Sequence, residues 1–463
     1  MPVPSASGWG ITQVAASVWS FQQDETIVDL QWRSSLINPY VFATALCLSL
    51  WVLVMELIFY VWYRGQLRQA QVIKDPPKVS LEDRNWLLQK MVLHAEDLGI
   101  WRQVKGWFMT QDRTATHSPH EIGRDDLEEL MAWAFFYKRI EVVDDAEMAW
   151  IRSACDTIAN DFHLDHSIKP GRTGVECIRH TLDAVHAIHR PLIFYLGIRF
   201  LRLLHGCLLK ARGFRRGHHE DLWYWYRLPQ TSDLEDSKRE ETVLFFHGIG
   251  MGLVLYLPLL LSMSQGRQIL FELPWIAMDP FAKIPSNAEY AKWAVEVLDK
   301  HGVDNCVAVG HSFGSLPIAW LIRQFPHRIP RCVLIDPVAL FLQLPDVCVN
   351  FLYKQPKNLF GKLIRVFGAR EFGIARTLMR HFFWTDNVLF PEMLPAGSSV
   401  ILMGEDRVIP VKEIYTSAAK LPDLRTVVIN GLDHGQFLLK PSVIKEILEH
   451  INGFESCQDK QLG

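Results

Sequence analysis

A serine between two glycines, at a corner between a strand pattern and a helix pattern, constrains this chain more than any other feature. The pentapeptide runs from Gly310 to Gly314, with Ser312 at its centre. The β-branched run at 306–309 predicts a buried strand, and the run at 315–322 predicts a helix. In so tight a turn, side chains at the two glycine positions would collide with neighbouring backbone. We therefore expect Ser312 to be held strained, with its hydroxyl projecting above a sheet.

Four further apolar runs predict strands, and each is followed by polar or glycine-rich residues. They are 242–246 before the turn His247–Gly250, 333–335 before Asp336, 400–403 before Glu405 and Asp406, and 426–429 before Asp433 and His434. A serine at a strand-to-helix corner, an acid after a late strand and a histidine after the last strand occur in that order. The order indicates one α/β domain over residues 240–452.

In these features residues 240–452 resemble the α/β-hydrolase superfamily, in which the serine stands at a nucleophile elbow. The resemblance implies an α/β fold with a mostly parallel sheet flanked by helices. It also implies that Ser312 is the nucleophile, His434 the general base and Asp406 the acid that orients the histidine.

The same resemblance implies how a reaction would proceed. His434 would remove the Ser312 proton, and the hydroxyl would attack an acyl carbonyl. The oxyanion would be held by the backbone N–H of Phe313 and by one from Ile249 or Gly250. A serine at the corner argues against epoxide or haloalkane hydrolysis, which use an aspartate there in this superfamily. The resemblance requires neither a metal nor a cofactor.

The identity of the acid has alternatives. Asp406 ends a late strand, and its stretch is similar to the acid loop of the superfamily. Glu405 could serve if the loop were shifted by one residue. Asp336 ends the preceding strand, from which some relatives draw their acid, although Asp336 and the following proline also favour a simple turn. Asp433 stands beside His434 and cannot easily fold back onto its ring. The sequence favours Asp406.

Other polar features indicate no further chemistry. The run His218–Asp221 could suggest metal ligands, but it follows two arginines and is typical of a solvated loop. A net charge of −3 gives no reason to expect nucleic acid as a partner. The eight cysteines have no spacing typical of a disulfide framework.

A second apolar segment, Tyr40–Tyr63, is long enough to cross a membrane. It contains one charged residue, Glu56, and carries aromatic residues at both ends. As a helix it would span roughly 36 Å, which suits a bilayer with some tilt. A buried core helix is the alternative that Glu56 keeps open. The span would separate an N-terminal tail, 1–39, from the rest of the chain.

The charges beside the span predict its orientation. Arg33 is the single basic residue before it, whereas Arg64, Arg68, Lys74 and Lys78 follow it. The excess of positive charge on the C-terminal side places the catalytic domain in the cytosol. The protein is thus predicted to be a single-pass membrane protein.

Between the span and the hydrolase domain, residues 64–239 are expected to be mostly helical. They resemble the N-terminal extensions of membrane-anchored fungal α/β-hydrolases. Within them, the segment Pro191–Arg216 is apolar with embedded arginines and a basic end. Such a helix could lie on an anionic membrane face, or it could pack against the hydrolase domain.

About 60 residues separate Asp336 from the next predicted strand, and residues 338–398 of this insertion are expected to form a helical cap. Their aromatic and apolar side chains could line an acyl pocket and touch the bilayer, or form a buried cap without membrane contact. A short tail, 453–463, ends the chain.

The combined prediction is a membrane-anchored serine hydrolase that cleaves a hydrophobic carboxylic ester. An acyltransferase or a thioesterase would use the same residues, and a catalytically silent scaffold protein would keep the fold alone. The expected partners are a hydrophobic ester substrate and membrane lipid, and the oligomeric state is not predicted.

Overall fold

The computed structural model describes residues 39–99, 104–109, 122–161, 168–228, 241–263, 266–357 and 359–453. Almost all of the predicted tails, 1–39 and 453–463, lie outside these residues. The chain separates into two compact units, Met1–Tyr63 and Arg64–Gly463.

The first helix, α1, contains the predicted membrane span. It runs over Pro39–Gln69, 31 residues, and so continues past the predicted end at Tyr63. Its apolar window has a mean hydropathy of 2.3, and none of that window is buried. Among the described residues, α1 and the helix Leu192–Ala211 are the two that are long and apolar enough to cross a membrane. By length and composition, α1 is a candidate transmembrane helix.

An eight-stranded sheet forms the centre of the second unit. Its strands are β5 (Arg215–His219), β6 (Leu222–Arg227), β7 (Val243–Phe246), β8 (Gln268–Phe271), β9 (Val307–His311), β10 (Arg331–Ile335), β11 (Ser399–Met403) and β12 (Arg425–Ile429). They lie in the order β12-β11-β10-β9-β7-β8-β6-β5. The six strands β7 to β12 pair in parallel, and β5 and β6 pair antiparallel. The central strands are apolar throughout because helices cover both faces of a parallel sheet.

The start of the sheet differs from the sequence-based prediction. The hairpin of β5 and β6 belongs to the sheet, which therefore begins at Arg215 rather than near residue 240. The run His218–Asp221, predicted as a solvated loop, forms the end of β5 and the tight turn of this hairpin. Glu220 there has a φ of +49°. His219 Nε2 lies 2.8 Å from Glu296 Oε2, so its imidazole ties the hairpin to a neighbouring helix.

Helices flank the rest of the sheet. They are α7 (Leu257–Ser262), α8 (Asn287–Lys300), α9 (Ser315–Gln324), α14 (Val411–Ala418) and α15 (Pro441–Ile451). Helix α8 begins at a capping box, in which the Ser286 and Glu289 side chains satisfy each other's backbone N–H groups. Helix α9 is buried over residues 315–322 and follows β9 directly, so it anchors the corner at Ser312 in the core.

The insertion between β10 and β11 is a helical cap, as the sequence predicts. Its helices are α10 (Asp346–Cys348), α11 (Leu359–Ile364), α12 (Phe372–Arg380) and α13 (Trp384–Asn387). Two π-helical turns, 349–353 and 365–369, continue α10 and α11. The helical cap thus connects two adjacent parallel strands of the sheet.

The segment before the sheet is mostly helical and shares the hydrophobic core of the cap. Its helices are α2 (Leu81–Leu93), α3 (Ala95–Leu98), α4 (Arg124–Phe136), α5 (Asp145–Asp161) and α6 (Leu192–Ala211), and two-residue strands β1 to β4 pair at 108–109, 122–123, 168–169 and 176–177. The Tyr137 hydroxyl lies 2.8 Å from Thr385 Oγ1, and the Trp384 indole donates to Ala134 O at 2.6 Å. The extension therefore packs directly on the cap.

Candidate active site

The corner at Ser312 has the strained geometry that the sequence predicts. Ser312 has a φ of +53°, a left-handed conformation that is unusual for a residue with a side chain. A Cβ at Gly310 would lie 2.5 Å from Gly314 O, and one at Gly314 would lie 2.2 Å from Phe246 O. Both positions therefore require glycine. The corner is held by β9 on one side and the buried helix α9 on the other.

The structure brings Ser312, His434 and Asp406 together. His434 Nε2 lies 2.8 Å from Ser312 Oγ, and His434 Nδ1 lies 2.6 Å from Asp406 Oδ2. The other carboxylate oxygen of Asp406 accepts backbone N–H bonds from Val408 at 2.7 Å and Ile409 at 3.2 Å. The acid is thus fixed in the turn after β11, and it points one oxygen at the imidazole. This arrangement can move a proton from the serine hydroxyl to the histidine.

The electrostatics of the site favour a charged imidazole. Burial disfavours the imidazolium, but the carboxylates of Asp406, Asp336 and Asp433 outweigh burial and raise the pKa of His434 to about 9. An imidazole with so high a pKa holds a proton firmly, and it has to lose this proton before it can accept another.

Asp336, the alternative acid, lies beside these residues but does not contact the His434 ring with a hydrogen bond. Its carboxylate is fully buried and accepts the Met403 N–H at 2.8 Å and the Gly435 N–H at 3.2 Å. Burial opposes its charge, but contact with His311, the field of His434 and the Met403 N–H hold the pKa of Asp336 below its ordinary value. Asp336 has a φ of +44°, so the predicted turn is present, but its side chain belongs to the site.

The other acids considered in the sequence have different positions. Asp433 accepts the N–H of His434 at 2.8 Å and that of Arg407 at 3.2 Å, and so joins the histidine loop to the acid loop. Glu405 donates its N–H to Leu432 O at 2.9 Å, which places it on the same pair of loops. Ligating atoms of Asp336, Asp406 and His434 lie within 4.8 Å of one another, but they are engaged in the hydrogen bonds above.

A second buried polar network adjoins the first. His311 Nε2 lies 3.7 Å from Asp336 Oδ2, and His311 Nδ1 lies 2.6 Å from the Tyr256 hydroxyl. That hydroxyl accepts the Gly248 N–H at 2.8 Å, so its own proton points at His311 Nδ1. Burial lowers the pKa of His311 and raises that of Tyr256, which keeps both groups neutral. The network joins the corner at Ser312 to the glycine-rich turn after β7.

The glycine-rich turn determines which backbone N–H can face the serine. The N–H of Gly250 donates to Ile276 O at 3.1 Å, so the prediction that Gly250 could supply the oxyanion hole is wrong. Among the described residues, no hydrogen bond uses the N–H of Ile249. His247 Nδ1 donates to Gly248 O at 2.8 Å. Because the C=O and the following N–H of one trans peptide point in opposite directions, this bond also aims the Ile249 N–H.

The remaining oxyanion candidate, Phe313, lies in the first turn of the helical segment that begins at Ser312. A backbone N–H in the first turn of a helix has no carbonyl partner within the helix, so the Phe313 N–H is free to bind an anion. The glycine turn passes close to Ser312, because a Cβ at Gly248 would lie 3.0 Å from Ser312 Cβ. The turn therefore needs glycine at 248 to reach the serine.

An apolar pocket opens at Ser312 and His434. It encloses about 640 Å³, including the space open to solvent. Cap residues such as Leu342, Phe351 and Leu378 line it, and so do Trp107 and His180 of the extension. Burial lowers the pKa of His180 to about 4, so this imidazole is neutral near pH 7. The cap and the extension together close a hydrophobic cavity over the serine.

Three features of the site are not predicted by the sequence. His311 stands inside the serine motif, so its position could have drawn attention to it. Tyr256 lies six residues after Gly250 and carries no recognisable pattern. Trp107 and His180 come from a segment with no motif, and no local signal in the sequence indicates that they reach the pocket.

Comparison with known proteins finds one family model that matches part of the chain, and several similar enzymes. Residues 241–393 match the family model described as alpha/beta hydrolase fold. Carboxylesterase YbfK of Bacillus subtilis (strain 168) is 31% identical over 83 residues, which are 18% of this chain and 26% of that enzyme. The match thus spans about a quarter of the relative.

Solved structures with a similar fold include a phospholipase and two carboxylesterases. A membrane phospholipase A, described as a bacterial virulence factor, is 15% identical with a TM-score of 0.40, over 57% of this chain and 93% of that one. Carboxylesterase CesB (YbfK) from Bacillus subtilis is 16% identical with a TM-score of 0.37, over 55% and 97%. Naproxen esterase from Bacillus subtilis is 14% identical with a TM-score of 0.35, over 53% and 94%.

Proposed function

Since this chain has the α/β-hydrolase fold, we propose that it is a membrane-anchored serine hydrolase that cleaves a hydrophobic carboxylic ester. One observation carries the proposal. The Ser312 hydroxyl, the His434 imidazole and the Asp406 carboxylate form a continuous hydrogen-bonded chain at the mouth of an apolar pocket. The local identity to a carboxylesterase agrees with ester hydrolysis.

The proposed mechanism uses the residues of the site in turn. His434 accepts the Ser312 proton, and the serine oxygen attacks the ester carbonyl. The N–H groups of Phe313 and Ile249 hold the oxyanion of the tetrahedral intermediate. The imidazolium, stabilised by Asp406, then protonates the leaving alcohol. Water attacks the acyl-enzyme in a second round, with His434 again as base, and frees the acid and the serine.

The pocket supports a substrate with an aliphatic or aromatic acyl group. Its wall consists almost entirely of hydrophobic side chains, and its polar residues are few: Ser312, His434 and His180. Each methylene moved from water into such a cavity stabilises the complex by about 0.8 kcal/mol. Affinity should therefore rise with acyl length until the cavity is filled.

Helix α1 supports the membrane part of the proposal. It is long enough to span a bilayer, and the basic residues that follow Tyr63 favour a cytosolic position for the catalytic domain. A membrane enzyme whose pocket is apolar can receive a substrate that partitions into lipid. Membrane lipid and a hydrophobic ester are accordingly the proposed partners.

A fluorophosphonate probe tests the serine. Membranes that contain the full-length protein should be labelled, and Ser312→Ala should abolish both labelling and ester hydrolysis. Ser417→Ala is a matched control, because this buried serine on α14 has no hydrogen-bond partner for its hydroxyl in the described structure. Labelling of Ser312→Ala within threefold of wild type would reject the nucleophile, and an unlabelled wild type would favour a silent scaffold.

A panel of acyl substrates then distinguishes an ester hydrolase from a thioesterase and from an acyltransferase. Thioesters and alcohol acceptors are offered alongside oxygen esters of increasing chain length. Faster turnover of thioesters would favour a thioesterase. Transfer of the acyl group to an added alcohol in preference to water would favour an acyltransferase with the same triad.

A further inference from the structure

The outward side of helix α6 is apolar along its whole length. Large side chains on it are strongly exposed, for example Ile193 at 68%, Phe200 at 58% and Leu203 at 65%. The complete set of exposed apolar side chains is Ile193, Leu196, Phe200, Leu201, Leu203, Leu204 and Leu208. They recur every three or four residues and so form one stripe. A surface helix in water normally carries charged residues on this side.

The inward side of α6 holds the helix against the domain. Tyr195, Ile198 and Leu209 are buried, and the Tyr195 hydroxyl donates to Glu371 Oε1 of the cap at 2.8 Å. The inward side of α6 therefore packs against the rest of the domain. The helix consequently lies along the surface of the second unit, so the packing alternative considered for Pro191–Arg216 is present on this side, while the opposite side stays apolar and exposed.

Cations border the apolar stripe. Arg199 and Lys210 are three helical turns apart and so share one edge of α6. This edge faces a groove toward β5 and β6, and the groove contains five basic and three acidic side chains: Arg199, Arg202, Lys210, Arg216, Lys283, Asp221, Glu272 and Asp279. The ion pairs between them are long, 3.4 to 3.8 Å. The groove therefore has a net positive charge, which can attract an anion from outside the protein.

The outer side of the cap continues the apolar surface. The Phe194 ring stacks on Phe367 with centroids 6.0 Å apart. Leu359 and Leu363 on α11 are 73% and 45% exposed. The inner side of the same cap segment borders the pocket, because a Cβ at Gly368 would lie 3.1 Å from Phe351, a pocket residue. One wall therefore separates the exposed apolar surface from the acyl pocket.

We propose that the stripe on α6 and the outer side of cap segment 359–369 dock the catalytic domain on an anionic phospholipid bilayer, with lipid phosphates held by the cations beside α6. This docking face deepens the proposed function, on which its role in substrate delivery rests. An apolar stripe edged by cations matches the acyl layer and the anionic headgroups of a membrane surface. The lipid contact places the pocket wall against the phase in which a hydrophobic ester dissolves.

A natural cysteine allows docking to be measured in the full chain. Cys207 is exposed on α6 among the apolar residues. A variant with Cys47→Ser, Cys348→Ser and Cys457→Ser directs an environment-sensitive thiol dye to Cys207, because the other described cysteines are buried. The protein is reconstituted into vesicles of phosphatidylcholine, alone or mixed with phosphatidylserine, and quenching by brominated acyl chains reports contact with lipid. The Ser312→Ala background gives the same readout without activity, so failure of docking and failure of catalysis are separated.

Quenching should be strong in vesicles with phosphatidylserine, weaker in phosphatidylcholine, and reduced by salt. Arg199→Glu with Lys210→Glu should reduce the effect of phosphatidylserine, since each lost cation lowers affinity for the anionic surface about fivefold. Phe200→Glu with Leu203→Glu should abolish quenching. Val142→Glu, at another exposed apolar residue that is 66% exposed, is the matched control and should leave quenching unchanged. Thermal unfolding in detergent verifies that each variant folds.

Three results would overturn the proposal. The first is a dye signal that is equal in detergent and in both kinds of vesicle. The second is quenching that survives Phe200→Glu with Leu203→Glu. The third is a change in dye emission that follows protein concentration in detergent, which would make a second copy of the chain the occupant of this face.

Discussion

The carboxylate of Asp336 accepts the backbone N–H of Gly435, the residue directly after His434, at 3.2 Å. The two acidic side chains near the histidine thus contact different parts of its loop. Asp406 reaches the ring at Nδ1, and Asp336 holds the backbone and the neighbouring strand β11 through Met403. The geometry favours Asp406 as the acid that orients the base, with Asp336 as a positioning residue.

Exchange of each acid for its amide should separate these roles. Asp406→Asn should lower kcat by roughly 10⁴, the scale observed when a triad acid becomes an amide, because the amide cannot stabilise the imidazolium. Asp336→Asn should cost far less, since the histidine ring keeps its own partner. Steady-state kinetics of both variants on one ester checks the ranking, and a larger loss for Asp336→Asn would place the acid on the earlier strand.

The Tyr256 hydroxyl offers a test of the glycine turn. Tyr256→Phe leaves the buried Gly248 N–H without its partner, which costs about 1–3 kcal/mol in the free energy of unfolding. The turn that carries the Ile249 N–H is then less firmly held, so kcat should fall about tenfold with little change in KM. This loss is smaller than the 10²–10³ associated with removal of an oxyanion donor.

Tyr290→Phe is the matched control for this experiment. The Tyr290 hydroxyl is buried and has no hydrogen-bond partner in the described structure. Its removal should leave kcat unchanged and stability equal or higher. Equal kcat for Tyr256→Phe and Tyr290→Phe would show that the second network does not support the reaction.

The pH dependence follows from the pKa of His434. A general base must be neutral, and the surrounding carboxylates raise the pKa of this imidazole to about 9 in the free protein. The value of kcat/KM should therefore rise with pH and level off above about pH 9. Asp406→Asn removes one source of the raised pKa and should shift this limb to lower pH. A pH profile that is flat from 6 to 9 in the wild type would contradict the assignment of His434.

Removal of the apolar part of α1, residues 39–63, should convert the protein from an integral to a peripheral one. The shortened chain should begin at Arg64, where the second unit begins. It then keeps Gln71, whose side chain exchanges two hydrogen bonds with the backbone of Val185, each of 3.0 Å. The full chain should resist extraction with alkaline carbonate, whereas the shortened chain should be released. Release of the full chain would show that α1 does not span the bilayer.

The corner and the strand order could be predicted because their causes are local. Gly310 and Gly314 are required by atoms only a few residues away or on the adjacent strand, so the pattern around Ser312 indicates the turn by itself. The fold class predicted from the sequence is confirmed by the sheet and by the matching family model. The length of the insertion after Asp336 likewise indicates the cap.

Features that depend on distant partners could not be read from the sequence. Whether Gly250 or Ile249 has a free N–H depends on Ile276, whose carbonyl uses the former. Arg215–Arg227 joins the sheet through β8. The aromatic run 222–227 favours a strand, but no local pattern shows that its partner is β8. Trp107 reaches the pocket through a bond from its indole to Gln343 O at 2.9 Å, a contact across 236 positions of the chain.

Trp107 and His180 line the pocket, but they are synthesised well before most of the residues against which they pack. These residues leave the ribosome before the cap and the sheet on which they rest. The roughly 250 residues between His180 and His434 take on the order of 10 to 50 seconds to translate, at about 5–20 residues per second. Until that interval ends, the tryptophan-rich extension lacks the complete cap and sheet against which it packs. We expect the nascent chain to depend on a chaperone, or on the nearby membrane, until the last strand has emerged.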